Sequence, residues 1–208
     1  MGIFSWGIAR FYDSVMLRAE NACLGQWRQN LLASLSGKVL EIGAGTGMNL
    51  KYYPDTITSL TLTEPDRHMR ARLEKKLDGE TRSHQLVDAS AEDLPFNDNS
   101  FDAAITTLVL CSVAQPDRCL TELRRILKPG GKLILLEHVV DPERGQIYKW
   151  QKRIEPFWTC CAGNCHLTRD TLQSLQQNGF TTANVHRDTM RGAVSFVSPV
   201  IHGIAEKR

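Results

Sequence analysis

The sequence predicts an α/β fold in which a mostly parallel sheet is covered by helices on both faces. Three observations carry that expectation. Apolar strand-like runs alternate with helical segments along most of the chain, one strand runs directly into a glycine loop at a helix start, and sharp turn signals separate the units. A length of 208 residues suits one domain with a single sizeable core.

The elements follow in order. Ile3-Phe4-Ser5-Trp6-Gly7-Ile8-Ala9-Arg10-Phe11-Tyr12 is apolar and aromatic, and helical character continues through Glu20. This stretch reads as a helix lying over a ligand pocket or packing on the core; the alternative is an amphipathic contact with a membrane surface. A second helix is expected over 22–34, with Gly37 ending the connection. Strands are expected at 38–42, 59–63, 84–87, 101–107 and 132–138, with helices between them that include 66–77 and 116–127. Pro129-Gly130-Gly131 makes a sharp turn into the fifth strand. Thr168 is the candidate N-cap of a helix ending before Gly179, and strands near 181–187 and 193–204 close the chain as a hairpin. That makes seven strands, one of them antiparallel.

Composition excludes several classes. Lys and Arg number 25 against 23 Asp and Glu, a net charge of +2, and no Lys/Arg-dense run occurs, so nucleic acid is disfavoured as a partner. No run approaches the roughly 20 apolar residues needed to span a bilayer. Cys23, Cys111, Cys119, Cys160, Cys161 and Cys165 are not spaced as a disulfide framework and follow no secretory leader pattern; reduced thiols in a cytoplasmic setting are expected.

The most specific motif is Val39-Leu40-Glu41-Ile42-Gly43-Ala44-Gly45-Thr46-Gly47. Its glycines let the backbone bend tightly and let a ligand approach the N–H groups at a helix start. A dinucleotide site normally reads G-x-G-x-x-G, and Met48 stands where the third glycine belongs. Glu41 also suits a pyrophosphate poorly; it suits a ligand carrying an ammonium and a sulfonium. Glu64, in Leu62-Thr63-Glu64-Pro65-Asp66, ends the next strand at the spacing where a carboxylate accepts from ribose hydroxyls. Ser90-Ala91-Glu92-Asp93-Leu94-Pro95-Phe96, then Asn99-Ser100-Phe101-Asp102, then Arg124-Arg125-Ile126-Leu127-Lys128-Pro129-Gly130-Gly131 complete the set.

This series resembles the signature set of class I S-adenosylmethionine-dependent methyltransferases over about half the chain, and the resemblance implies a Rossmann-like fold. It implies that Glu41, Gly43, Gly45 and Gly47 face the methionine part of the cofactor and that Glu64 holds the ribose, with Ala44 and Pro65 in the same two segments. Ala91, through its backbone N–H, and Ser90 would meet adenine. Many relatives place Asp where Ser90 stands; Asp88 and Glu92 are the carboxylates available to replace it. Thr107 and Leu108 would line the cavity near the transferred methyl group. The organisation expected is an N-terminal helical cap over 1–36, a cofactor-binding core over 37–140, and an acceptor lid, helix and hairpin over 141–208.

Methyl transfer at a positively charged sulfur asks the enzyme mainly to align the nucleophile and exclude water. A base is needed only for an acceptor that enters protonated. Thr107-Leu108-Val109-Leu110 is not the Asp/Asn-Pro-Pro-aromatic motif expected for an exocyclic base amine, a second argument against nucleic acid. A closer resemblance runs through Thr107-Leu108-Val109-Leu110-Cys111-Ser112-Val113, Glu137-His138-Val139, Trp150-Gln151, Glu155-Pro156-Phe157-Trp158 and Cys165-His166-Leu167-Thr168-Arg169. These blocks resemble the alkyl thiol S-methyltransferases of animal microsomes and their bacterial relatives. The animal proteins carry an N-terminal hydrophobic anchor, and the stretch before the first strand here is too short to hold one.

His138, just after the fifth strand, is the candidate base for an acceptor thiol, with a hydrogen-bonded structural histidine as the alternative. Glu137 beside it is placed either in the site, orienting a ligand, or in a helix cap. The insert over 148–169, with Trp150, Phe157 and Trp158, reads as a lid that walls an apolar acceptor pocket or as a helix packed on the sheet. No metal is expected, because the adjacent Cys160 and Cys161 cannot easily both meet one tetrahedral zinc and no second C-x-x-C pair exists. The expected function is methyl transfer from S-adenosylmethionine to a small apolar acceptor, a thiol first. The rivals are a phospholipid or quinone methyltransferase and a protein that binds the cofactor without turnover. The N-terminal segment is the place where peripheral membrane contact is expected.

Overall fold

The structure, a computed structural model, describes residues 3–208; Met1 and Gly2 lie outside the described residues. Its strands are β1 (Gly37–Ile42), β2 (Ile57–Thr63), β3 (His84–Val87), β4 (Phe101–Thr107), β5 (Leu127–His138), β6 (Phe180–Thr189) and β7 (Pro199–Lys207). They form one sheet in the order β3-β2-β1-β4-β5-β7-β6. The first five strands are mutually parallel, and β7 runs antiparallel to both β5 and β6. The seven-stranded, mostly parallel sheet expected from the sequence is the one found.

The helices are α1 (Ile3–Ala19), α2 (Gly25–Leu32), α3 (Arg67–Leu77), α4 (Pro116–Ile126), α5 (Gln146–Cys161) and α6 (Thr171–Gln177). Side-chain alternation along the strands divides the core between the two faces. Leu40, Ile42, Leu133 and Leu135 pack with Leu120, Leu123 and Ile126 of α4 and Leu175 of α6. Val39, Leu60, Leu62 and Ile134 pack on the other face with Leu32, Leu73 and Leu77. Helix ends follow local chemistry. Asp66 caps α3 by accepting from the N–H groups of His68 and Met69, both at 2.9 Å. Pro116 opens α4 and Arg124 and Arg125 close it, in keeping with the helix dipole.

Four details differ from the sequence reading. The two N-terminal helices are joined by a π-helical turn, Glu20–Leu24, rather than by a break. The N-cap of α6 is Asp170, which accepts from the N–H of Gln173, while the Thr168 N–H donates to Glu155 at 2.7 Å. The last strand starts at Pro199, because Ser195–Val197 form a 3₁₀ turn. Strand β5 already pairs at Leu127 opposite Phe101, and the Pro129-Gly130-Gly131 turn lies inside it as an irregularity before Lys132 meets Ala103.

One buried carboxylate ties the strand ends together. Glu137 is fully buried; it accepts from the Thr106 hydroxyl and from the N–H groups of Val109 at 3.1 Å and Cys111 at 3.4 Å. Burial pushes its carboxyl up to about 7 against those hydrogen bonds. Between the ordinary value of 4.5 and about 7, the folded chain therefore holds more protons than the unfolded one. The contribution of the protonated acid to stability is present below 4.5 and is lost as pH rises through about 7, on the order of 3 kcal/mol in all. The Glu137→Gln variant should accordingly show a flatter dependence of melting temperature on pH across that window; equal slopes in variant and parent would remove Glu137 as the source.

Candidate active site

The glycine loop leaves β1 at the carboxyl edge of the sheet, where ligands bind in open α/β folds. Gly43, Gly45 and Gly47 all take left-handed backbone conformations. At Gly43 the protein itself demands glycine, because an added Cβ would meet the Val109 side chain at 2.7 Å. At Gly45 an added Cβ would meet nothing closer than the Gly43 carbonyl at 3.9 Å. That is the place where a ligand can approach the backbone.

Two acids frame the loop. Glu64 accepts from the Gly45 and Asp66 N–H groups, both at 2.8 Å, which uses two of roughly four acceptor positions of a carboxylate. Glu41, 3% exposed, accepts from Asn49 Nδ2 at 2.6 Å and from the Tyr53 hydroxyl. Burial raises the carboxyl pKa of both, against these hydrogen bonds. A cationic ligand at this edge would offset the desolvation that raises them. The residues therefore fit a group that brings an ammonium, a sulfonium and ribose hydroxyls.

Behind Glu41 lies a polar chain that sequence reasoning missed. Arg28 on α2 donates from Nη1 to Asn49 Oδ1 at 2.7 Å and from Nε to Glu20 Oε2 at 3.2 Å. Asn49 also donates to the Thr107 hydroxyl at 3.0 Å. Asp13 of α1 accepts from Thr46 inside the glycine loop at 2.5 Å and from Lys76 at 3.0 Å, so α1 is tied directly to the loop. The one available signal was a lone arginine in the otherwise uncharged run from Asn21 to Leu35.

On the adenine side, Ala91 is buried and Ser90 donates to Glu92. Glu92 also accepts from the N–H groups of Ala114 at 2.8 Å and Gln115 at 3.3 Å, and Asp88 pairs with Arg70 at 2.8 Å. Both carboxylates that were candidates to replace the family's Asp thus already hold protein groups. Leu108 has a φ of 58°, a left-handed conformation unusual for leucine, at the end of β4 where the methyl-transfer cavity is expected. Its N–H is held by the Leu136 carbonyl at 2.8 Å.

Four elements meet where the sequence places the acceptor. His138 ends β5, Cys111 follows β4, Trp158 lies on α5, and Cys165 follows α5. His138 is 1% exposed, and neither ring nitrogen has a hydrogen-bond partner. The Trp158 indole N–H is likewise buried without one. A buried polar group without a nitrogen or oxygen partner is uncommon in a folded protein, and these two lie near each other beside Cys165. Helix α5 is anchored by Gln151, which accepts from the Asp141 N–H at 2.9 Å and donates to the carbonyls of Val139 and Phe196. Of Trp150, Phe157 and Trp158, only Trp158 turns inward, edge-on to Phe196 with ring centroids 5.4 Å apart. Trp150 and Phe157 face solvent, which corrects the expectation that all three wall the pocket. The buried hydroxyl of Tyr12, held protonated by a pKa raised to about 12 through burial, lies within the electrostatic reach of Arg28, Cys111 and Cys165. Glu137, as described above, is engaged by the β4 loop. Among the described residues, no group of three or more His, Cys, Asp or Glu side chains is arranged to hold a metal.

A groove of about 380 Å³ between α2 and the β6–β7 strands, lined by Trp27, Lys132, His186 and His202, is separate from this edge. Lys132 and Glu206, which also line it, pair six residues before His138.

Comparison with known proteins bears on this geometry. A family model described as a methyltransferase domain matches residues 40–135. The chain is 38% identical to the human thiol S-methyltransferase TMT1B, over 85% of this chain and 74% of that protein. It is 31% identical to the human thiol S-methyltransferase TMT1A, over 100% of this chain and 90% of that protein. Among solved structures, a SAM-dependent methyltransferase from Thermotoga maritima shares the fold with a TM-score of 0.68 at 24% identity, over the full length of both chains. With a cofactor loop and paired acids of the kind described, and relatives of this identity and coverage, the chain belongs to the thiol S-methyltransferase family of S-adenosylmethionine-dependent methyltransferases.

Proposed function

We propose that the chain methylates a small apolar thiol at the carboxyl edge of β4 and β5. The observation that carries this reading is the imidazole of His138, buried at the end of β5 beside α5, which Gln151 anchors on the very next residue, Val139. Bound S-adenosylmethionine supplies an activated methyl group on a positively charged sulfur. Glu41, Glu64 and the open face of Gly45 support a role in binding it, and Asn49 joins that binding side to Thr107 at the end of β4. An alkyl thiol with a pKa near 8.5 is mostly protonated at neutral pH, and the thiolate is the nucleophile. His138 accepts that proton, while Trp158 and the anchored α5 keep water out. Glu137 acts indirectly, by fixing the loop from Thr106 to Cys111 against which the acceptor lies.

The same reading includes peripheral contact with a membrane surface. Trp6, Phe11, Val15 and Leu17 of α1 are exposed, with Arg10 and Arg18 among them. No helix among the described residues is long and apolar enough to cross a membrane. A cytoplasmic protein that touches lipid through α1 fits both facts.

Three measurements test this reading. Glu64→Ala should weaken S-adenosylmethionine binding by about 1–3 kcal/mol in calorimetry, because a charged acceptor is lost; unchanged affinity in a folded variant would take Glu64 out of the site. His138→Ala should lower turnover of an alkyl thiol about 10²-fold at neutral pH. That loss should shrink as pH rises and be smaller for a more acidic thiol, with cofactor affinity nearly constant. A defect that ignores both pH and thiol acidity would make His138 structural. Finally, the chain should co-float with anionic phospholipid vesicles, and a Trp6→Ser/Phe11→Ser variant should do so several-fold less; equal flotation would remove α1 from the contact.

A further inference from the structure

The segment after α5 is stitched to the loop after β4 by three hydrogen bonds. The His166 N–H donates to the Cys111 carbonyl at 2.8 Å, Asn164 Nδ2 to the Ser112 carbonyl at 2.7 Å, and Arg169 Nη1 to the Leu110 carbonyl at 2.7 Å. The stitching brings Cys165 beside Cys111, both buried. The two thiols are close enough for Cys111 to donate toward Cys165, and the imidazole of His138 and the indole of Trp158 lie on the same sulfur. These are the ring groups left without a conventional hydrogen-bond partner.

The pair is unsymmetrical. The Cys111 thiol, the His138 imidazole and the Trp158 N–H hold negative charge on Cys165, pulling its pKa down, whereas Cys111 is pushed well up. The other cysteines lack this setting. Cys119 is packed in the core on α4, and burial pushes its thiol up. Cys23 donates to the Ala19 and Arg191 carbonyls, and Cys160 and Cys161 are simply exposed.

We propose that Cys111 and Cys165 are a redox-active pair that reduces small-molecule disulfides, with Cys165 the attacking sulfur and Cys111 the resolving one. The Cys165 thiolate attacks one sulfur of R–S–S–R, forming a Cys165–S–S–R mixed disulfide and releasing RS⁻, which takes up a proton. Cys111 then gives up its proton and attacks the Cys165 sulfur. A Cys111–Cys165 disulfide forms, and the second RS⁻ leaves and accepts that proton. Two protein thiols are oxidised and one disulfide is reduced to two small thiols; an external dithiol reverses the protein step. The oxidised pair would bolt the lid to the β4 loop. This chemistry goes beyond the acceptor reading and stands whether or not the acceptor is a thiol.

The test uses the full chain carrying Cys160→Ser and Cys161→Ser, which removes the two exposed thiols. The folded protein is treated with cystamine, quenched in acid and mapped as non-reduced peptides. The expected product joins the Cys111 and Cys165 peptides, and dithiothreitol separates them. With Cys111→Ser added, cystamine should stay attached at Cys165; with Cys165→Ser added, Cys111 should carry nothing. His138→Gln in the Cys111→Ser background should slow attachment at Cys165 roughly tenfold. Melting curves on each variant, and Cys111→Ala in place of Cys111→Ser if that variant is unfolded, keep the comparison among folded proteins. The proposal is overturned if the folded chain takes up cystamine at neither residue, or only after denaturation, while Cys160 or Cys161 of the parent reacts. Attachment at Cys111 in the Cys165→Ser protein would overturn the assignment of the two roles. Because the readout is a peptide and not methyl transfer, its failure is separate from failure of the acceptor reading.

Discussion

The burial of Glu41 is the constraint on which the cofactor edge depends. A carboxylate at the end of a central parallel strand has no water to solvate it, so it needs partners or a counter-ion. Tyr53 and Asn49 take its two oxygens, and Arg28 reaches it through Asn49. Arg28 must also serve Glu20, which is equally buried on the adjoining π turn. Two buried carboxylates thus share one buried guanidinium. With Glu64 also buried beside the loop, acidic groups outnumber basic ones at this edge, next to the open position of Gly45. A sulfonium with an ammonium group offsets that excess, whereas a pyrophosphate would add to it. The same accounting explains why the first helices belong to the site: without Arg28 and Glu20 held by α2 and the turn before it, Asn49 would have no fixed orientation between Glu41 and Thr107.

Most of the sheet was legible because a buried parallel strand is written in its own apolar run, as in 38–42 and 101–107, and because Pro and Gly mark where such runs stop. The cofactor loop was legible because three glycines after a strand have few other uses. What could not be read depended on contacts between distant segments. Nothing local distinguishes Thr168 from Asp170 as a cap; the difference is that Glu155, thirteen residues away, takes the Thr168 N–H. Trp158 and Phe157 are neighbours in sequence, and only the rotation of α5, set by Gln151 gripping Val139 and Phe196, decides which one turns inward. Leu108 looks like any strand leucine, yet its φ of 58° is imposed where the chain must leave β4 while Glu137 holds the residues that follow.

Glu137 and Leu108 together join the two halves of the site. Thr106 and Thr107 belong to the strand that Asn49 touches from the cofactor side, whereas Val109 and Cys111 belong to the loop that meets the lid. A carboxylate that accepts from both ends of this bend leaves it little freedom. Val109 in turn fills the space that a side chain at position 43 would need. Glycine loop, β4 bend and the segment that follows α5 are therefore packed in series.

Cys111 shows how such a series divides architecture from chemistry. Its N–H is taken by Glu137 and its carbonyl by His166, so the backbone of this residue does the joining. Neither contact asks for sulfur. Serine or alanine would keep both. The side chain is nonetheless a thiol, placed against a second thiol on which the His138 imidazole and the Trp158 indole N–H act. Buried polar groups are costly unless they find partners, and here the partner they share is the Cys165 sulfur. They come from four separate segments, β5, the loop after β4, α5 and the chain after it, so the setting of the Cys165 sulfur is a product of the tertiary fold alone.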